Sequence, residues 1–104
     1  MQIIKALSFT GKQAWEAINI AQIKDATIRL HWTDQPYIWH RNDGDEVFVV
    51  LDGKISMRYK ENGIEHELIL HPADICYFKQ GEEHMAHPLG GPARILVIEK
   101  RGSI

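Results

Sequence analysis

The chain has 104 residues, of which 44% are hydrophobic and 25% charged, and this composition indicates one soluble globular domain with a single core. Its net charge is −2 and it has no basic run, so we expect neither a nucleic acid nor an anionic membrane surface as partner. The longest apolar run, Val47 to Leu51, is too short to cross a membrane. A single cysteine excludes an intrachain disulfide, and the N-terminus lacks a signal-peptide pattern, so we expect a cytoplasmic protein.

The first 25 residues carry the weakest pattern. Gly11 to Ala17 fits either a helical turn around Trp15 or a loop between two short strands. From Ala26 onward, apolar and polar residues alternate, which predicts a strand with one buried face. The apolar residues that share this face are Ala26, Ile28, Leu30 and Trp32.

The middle of the chain has the clearest pattern. Tyr37 to His40 predicts a short strand, and Glu46 to Leu51 predicts a buried strand covered on both faces. Asp52-Gly53 and Asn62-Gly63 are typical two-residue hairpin turns, which need positive φ angles. Lys54 to Tyr59, between these turns, alternates again.

Four more strands are predicted in the second half of the chain, and the turns between them are rich in glycine, proline and aspartate. These strands are Ile64 to Leu70, Ile75 to Phe78, His84 to His87 and Ala93 to Glu99. Many short strands joined by such turns predict an all-β protein, an antiparallel sandwich or barrel. No linker or repeat divides the chain, so we expect one domain over residues 1–104.

Two clusters of polar residues suggest a metal site. In the first cluster, His40 and Asn42 project to one side of an extended segment, and Glu46 opens the next strand. In the second, His84 and His87 are three residues apart, so a regular strand turns them to opposite faces, and only one of them can share a pocket with His40. Two imidazoles and a carboxylate suit Fe, Mn, Zn or Ni.

The other histidines are more simply interpreted as surface or hydrogen-bonded side chains. They are His31, His66, His71 and His87. Cys76 lies in an apolar strand and is interpreted as a small buried hydrophobic residue rather than a nucleophile. The acidic residues near the two clusters are interpreted as a solvated rim; these are Asp43, Asp45, Glu82 and Glu83.

The spacing within both clusters resembles that of the cupin superfamily. His40, one residue, Asn42, three residues, Glu46 and then six residues to Gly53 follow the first cupin motif, except that Asn42 stands where a second histidine is usual. Gly81 and His84 keep the spacing of the second cupin motif. Three other positions of that motif differ: Ala73 replaces a glycine, Lys79 replaces a proline and Pro88 replaces an asparagine. The resemblance extends over residues 37–99 and is closest to small single-domain cupins described as mannose-6-phosphate-isomerase-like.

The resemblance implies an antiparallel jelly-roll β-barrel with a divalent metal held by His40, Glu46 and His84. Asn42 occupies the fourth ligand position, where its amide oxygen is a weaker donor for a transition metal than imidazole. His87, Asp43 and Asp45 are candidate replacements for the missing ligand, although none has the expected spacing.

Three functional hypotheses remain open. The protein is a metalloenzyme acting on a small oxygen-rich substrate, a binding module that holds a small ligand with or without metal, or an interaction unit with a relic pocket. The sequence does not identify catalytic residues. The residues expected to line the ligand pocket are Tyr37, Trp39, Met57, Tyr59 and Met85. Small cupins are commonly homodimers, and we expect residues 1–25, around Trp15, to pack on the barrel or on a dimer partner.

Overall fold

The computed structural model describes residues 1–101, and most of them lie in nine β-strands. The strands are β1 (Glu16–Ile23), β2 (Ala26–Thr33), β3 (His40–Arg41), β4 (Glu46–Asp52), β5 (Ile55–Glu61), β6 (Ile64–Leu70), β7 (Ile75–Phe78), β8 (Glu83–Pro88) and β9 (Ala93–Lys100). One turn of 3-10 helix, Ala6–Ser8, precedes them. Within the described residues, no helix has the length and apolar character needed to span a membrane.

The strands form two antiparallel sheets. One sheet has five strands in the order β1-β2-β9-β4-β7, and the other has four in the order β3-β8-β5-β6. Every paired strand runs antiparallel to its neighbour, so the expected all-β antiparallel architecture is confirmed. The core lies between the sheets, where Val50 and Ile95 of the five-stranded sheet and Ile55 and Met57 of the four-stranded sheet are almost fully buried.

Strand β2 has two buried faces of different character. Leu30 and Trp32 are buried as predicted, at 1% and 8% exposure. Arg29 and His31 pair in register with Val97 and Ile95 of the core, so they face the interior between the sheets. The predicted polar face of this strand is therefore turned inward, toward a cavity, and not to solvent.

The N-terminal segment lies against the same sheet. Arg94 donates to the Phe9 carbonyl oxygen at 2.7 Å and to Thr10 Oγ1 at 3.1 Å. A methyl group added at Gly11 would lie 2.6 Å from the Trp32 ring. Trp15 lies in a turn directly before β1, and β1 pairs with β2 along its whole length.

Two connections of the chain differ in kind. Asn62-Gly63 has positive φ at both residues and joins the antiparallel neighbours β5 and β6, so the predicted hairpin is confirmed. The predicted hairpin at Asp52-Gly53 is wrong, because β4 and β5 belong to different sheets. Gly53 has its positive φ angle in the segment that connects β4 of one sheet to β5 of the other.

Candidate metal centre and ligand cavity

Three side chains from three strands converge at one end of the space between the sheets. His40 of β3 and His84 of β8 are cross-strand partners in the four-stranded sheet, and Glu46 opens β4 in the five-stranded sheet. One ligand atom from each of these residues lies within 4.8 Å of the other two, so this group could hold a metal ion. Ligands about 2.1 Å from one ion stand roughly 3–4 Å apart, so small side-chain rotations complete the site.

The free polar atoms of His84 fit a metal. His84 is 2% exposed, and its Nδ1 has no hydrogen-bond partner among the described residues. Its ring stacks on Phe78, with centroids 3.9 Å apart, and its Nε2 lies 3.3 Å from Glu46 Oε1. A buried polar atom without a partner is unfavourable, and a metal ion at this point would satisfy it.

His40 is oriented by the backbone. Its Nδ1 lies 3.2 Å from the carbonyl oxygen of Ile38, so Nδ1 carries the hydrogen and Nε2 keeps a lone pair. Burial, only partly opposed by the Ile38 carbonyl, lowers the pKa of His40, which favours the neutral ring that binds metals. A backbone carbonyl behind the imidazole is the usual support of a metal-ligating histidine.

Asn42 supports the carboxylate. Its Nδ2 donates to Glu46 Oε1 at 2.8 Å, while its Oδ1 is buried without a hydrogen-bond partner among the described residues. Burial would raise the pKa of Glu46, but the His84 imidazole and the Asn42 amide outweigh it and hold the pKa below its ordinary value. Glu46 is therefore an anion at neutral pH, the form that binds a cation.

A second acid lies beside this group. Glu99 is the register partner of Glu46 on β9 and is 7% exposed. Burial, together with the charge of Glu46, raises the pKa of Glu99 to about 7. The sequence analysis did not identify Glu99 as a site residue. The alternation along β9 could have identified it, because Ala93, Ile95 and Val97 face inward and Glu99 is the next residue in that series.

A cavity of about 240 Å³ adjoins the three residues. Besides His40, Glu46 and His84, it is lined by aromatic, apolar and charged side chains, among them Trp15, Arg29, His31, Tyr37, Phe48 and Glu99. The rings of Trp15 and Tyr37 meet edge to face, with centroids 5.1 Å apart, and Trp15 also contacts the His31 ring. This wall was not predicted apart from Tyr37, because residues far apart in sequence build it.

The other expected pocket residues lie elsewhere. Met57 and Tyr59 line a larger cavity of about 610 Å³, together with Cys76. Trp39 lies under the ammonium group of Lys60, 4.9 Å from its ring centroid. Met85 follows the inward-facing His84 and therefore points to the opposite face of β8.

The other residues considered in the sequence lie outside the group of His40, Glu46 and His84. His87 lies on the other face of β8 from His84, as the alternation predicted, and His66 stacks on Tyr59. Asp45 accepts hydrogen bonds from the Tyr77 hydroxyl at 2.6 Å and the Gln80 amide at 3.1 Å, so it orders the loop before β4. Cys76 is half-buried against the core, and burial raises the pKa of its thiol.

Comparison with known proteins gives one family. Residues 30–99, more than half of the chain, match the family described as the Cupin domain. The uncharacterised protein YdbB of Bacillus subtilis (strain 168) is 27% identical over 85 residues, which cover 81% of this chain and 73% of that protein.

Solved structures give the same fold. A cupin-2 domain containing protein from Shewanella frigidimarina has a TM-score of 0.75 at 25% identity, covering 88% of this chain and 85% of its own. A candidate mannose-6-phosphate isomerase from Ralstonia eutropha JMP134 has a TM-score of 0.77 at 15% identity, covering 96% and 98%. HppE with Co(II), in complex with substrate, has a TM-score of 0.71 at 14% identity, covering 83% of this chain and 52% of its own. The jelly-roll prediction is thereby confirmed.

Proposed function

The chain belongs to the Cupin domain family, and from that premise we propose that it binds one divalent metal ion through His40, Glu46 and His84 and takes a small organic ligand in the adjoining cavity. The observation that carries the proposal is the convergence of three ligand atoms within 4.8 Å, with Nε2 of the buried His84 only 3.3 Å from Glu46 Oε1. Iron, manganese, zinc and nickel all suit two imidazoles and a carboxylate.

Each residue has a defined part in this proposal. His40 offers Nε2 because its Nδ1 is held by the Ile38 carbonyl, and Glu46 supplies the negative charge. Asn42 keeps Glu46 in place through its amide hydrogen and adds Oδ1 as a weaker ligand. A bound divalent ion supplies Lewis acidity toward oxygen atoms of a ligand. The aromatic wall of Trp15 and Tyr37 excludes water and selects small ligands.

A second candidate function is a small-ligand-binding module that works without metal. The observation that favours it is Asn42, which replaces an imidazole and already satisfies one oxygen of Glu46. The two functions predict different results in the same experiment, because only the first requires a metal before the ligand binds.

The experiment is elemental analysis of the purified protein, followed by titration of metal-stripped protein with Fe(II), Mn(II), Zn(II) and Ni(II). We expect close to one equivalent of bound metal, lost in His84→Ala and in His40→Ala. The exposed His71 provides a matched control, and His71→Ala keeps the metal. Absence of binding for all four metals contradicts the proposal and leaves the metal-free module.

Two properties of the whole chain are also proposals: a cytoplasmic location and a homodimer. Trp15 no longer supports the dimer, since its ring lines the cavity. Exposed apolar side chains on the sheet-edge strands β6 and β7, which include Leu68, Ile75 and Tyr77, support it instead as a surface for a second copy. Light scattering should give twice 12.0 kDa, and Ile75→Lys should give 12.0 kDa. A wild-type protein that scatters as a monomer contradicts the homodimer. Cell fractionation tests the cytoplasmic location.

A further inference from the structure

We call His40, Glu46 and His84 the metal group. The wall of the cavity on strand β2 faces this group and carries a positive charge. Arg29 pairs in register with Val97, and Glu46 pairs with Glu99, so Arg29 lies two strands and two residues away from Glu46. Strands are about 4.8 Å apart and residues rise about 3.4 Å, which separates the two backbones by roughly 12 Å. Both side chains line the same cavity, so one small molecule can reach both.

Two buried polar atoms of this wall, Trp15 Nε1 and His31 Nδ1, have no hydrogen-bond partner among the described residues. The ion pairs formed within residues 1–101 do not include Arg29. A buried donor without a partner is rare in folded proteins, and one that lines a cavity beside an arginine indicates a site for an acceptor-rich group.

The chemistry of the Arg29 guanidinium and the Trp15 indole selects a carboxylate. A guanidinium binds a carboxylate through two parallel hydrogen bonds, and the indole N–H is a donor only. Burial lowers the pKa of His31, and the one hydrogen of its neutral ring is engaged with the Trp15 backbone, so His31 orients Trp15 and adds no donor of its own.

We propose that Arg29 and Trp15, with His31 packed against the Trp15 ring, form a carboxylate-binding subsite, so that the ligand is a small organic acid with a carboxylate at this wall and further oxygen atoms near His40, Glu46 and His84. The inference rests on the proposed function, because it assumes that the metal group holds the other end of the ligand. The cavity has a volume of about 240 Å³, which fits a small acid.

The test uses Co(II)-loaded protein and matched pairs of 2-hydroxy acids in calorimetry. (S)-Malate is compared with (S)-2-hydroxybutyrate, and (S)-2-hydroxyglutarate with (S)-2-hydroxyvalerate. Within each pair, only a terminal carboxylate is exchanged for a methyl group, and the two pairs differ in length by one carbon. We expect at least one diacid to bind ten-fold or more tightly than its partner. Equal affinities in both pairs overturn the inference.

Variants assign the preference to the wall. Arg29→Gln should remove the preference for the diacid, Arg29→Lys should keep part of it, and Trp15→Phe should reduce it several-fold. Arg58 pairs with the outward-facing Met85, and Arg58→Gln is the matched control that keeps the preference. A preference that survives in Arg29→Gln overturns the inference. Failure of Co(II) and of Fe(II), Mn(II), Zn(II) and Ni(II) to bind the wild type refutes the proposed function instead, so the two failures are distinguishable.

Discussion

Asn42 stands where the cupin pattern has a histidine, and its side chain is engaged with Glu46. The amide donates to Oε1 at 2.8 Å, and Asn42 itself is 6% exposed. The reverse amide orientation would set a carbonyl oxygen against a carboxylate, so the charge of Glu46 fixes the orientation. The substitution therefore exchanges one strong ligand for a group that holds another ligand in place.

Asn42→His should strengthen metal binding, because it restores an imidazole beside the group at the loss of one hydrogen bond to Glu46. We expect the metal dissociation constant to fall by about ten-fold, the lower end of the effects that single residues have around metal sites. Competition with a chromophoric chelator measures this, and Asn42→Gln serves as a control without an imidazole. Weaker binding in Asn42→His would mean that the hydrogen bond to Glu46 outweighs a fourth ligand.

Glu99 makes the stability of the metal-free protein depend on pH. Its pKa in the folded protein is about 7, above the ordinary value of 4.5, so between these values the folded state binds more protons than the unfolded state. Stability therefore falls as pH rises from about 4.5 to about 7. Glu99→Gln cannot ionise, so above pH 7 it should be more stable than the wild type by on the order of 1–2 kcal/mol, allowing for solvent screening.

Thermal unfolding of metal-stripped protein at pH 5 and pH 8 checks this prediction. The difference between Glu99→Gln and wild type should be present at pH 8 and small at pH 5. The exposed Glu61→Gln is a control that should show no such change. An equal difference at both pH values would contradict the role of the Glu99 charge.

The two connections with positive φ show how an element depends on its surroundings. Gly63 lies in the β5–β6 hairpin, where an added methyl group would meet nothing within 4 Å. Gly53 joins β4 to β5 across the sheets, where a methyl group would lie 2.6 Å from the Pro92 carbonyl oxygen and 2.9 Å from Ala93 Cα. Both positions need a left-handed backbone, but only Gly53 also needs the space.

Gly53→Ala and Gly63→Ala should therefore differ in stability. Gly63→Ala carries only the left-handed backbone penalty of about 1–2 kcal/mol. Gly53→Ala adds a backbone clash, so we expect a loss of about 3 kcal/mol or more. Urea denaturation measures both values. Equal losses of stability would show that moving the β9 backbone away from the added methyl group costs little free energy.

The metal group joins the two sheets of the molecule. His40 and His84 belong to the four-stranded sheet and Glu46 to the five-stranded sheet, so an ion bound by all three is a crosslink in the folded state only. The aromatic stack of Phe78 on His84 also spans the sheets, since Phe78 lies on β7. An ion bound at this point would therefore stabilise the packing of the two sheets.

Metal should raise the thermal midpoint of the protein. At a free metal concentration 100 times the dissociation constant, binding adds about 2.7 kcal/mol of stability. For a domain of this size, this corresponds to a rise of roughly 10–20 °C. Differential scanning calorimetry with and without metal measures the shift, which EDTA should reverse and His40→Ala should abolish. An unchanged midpoint at saturating metal would show that the ion does not link the sheets.

The sequence determined most strands from Ala26 onward, the hairpin at Asn62-Gly63 and the fold class, because strand alternation and turn residues are local properties. It left β1 open, and the strand predicted over Tyr37 to His40 is found at His40–Arg41. It also identified His40, Glu46 and His84 as the candidate ligands, through spacing that resembles the cupin motifs. Residues 102–104 lie outside the described part of the chain and carry none of these predictions.

Only the tertiary structure decided which face of each strand meets the cavity. The polar side of β2 was expected to face solvent, yet Arg29 and His31 turn inward because β2 pairs with β9, whose core residues are in register with them. Glu99 enters the same space, and Trp15 closes it from a segment whose structure the sequence left open. The Asp52-Gly53 turn likewise became a crossing between sheets. Local patterns fix that a strand alternates, but sheet order fixes which side is inside, and sheet order depends on contacts between residues far apart in the chain.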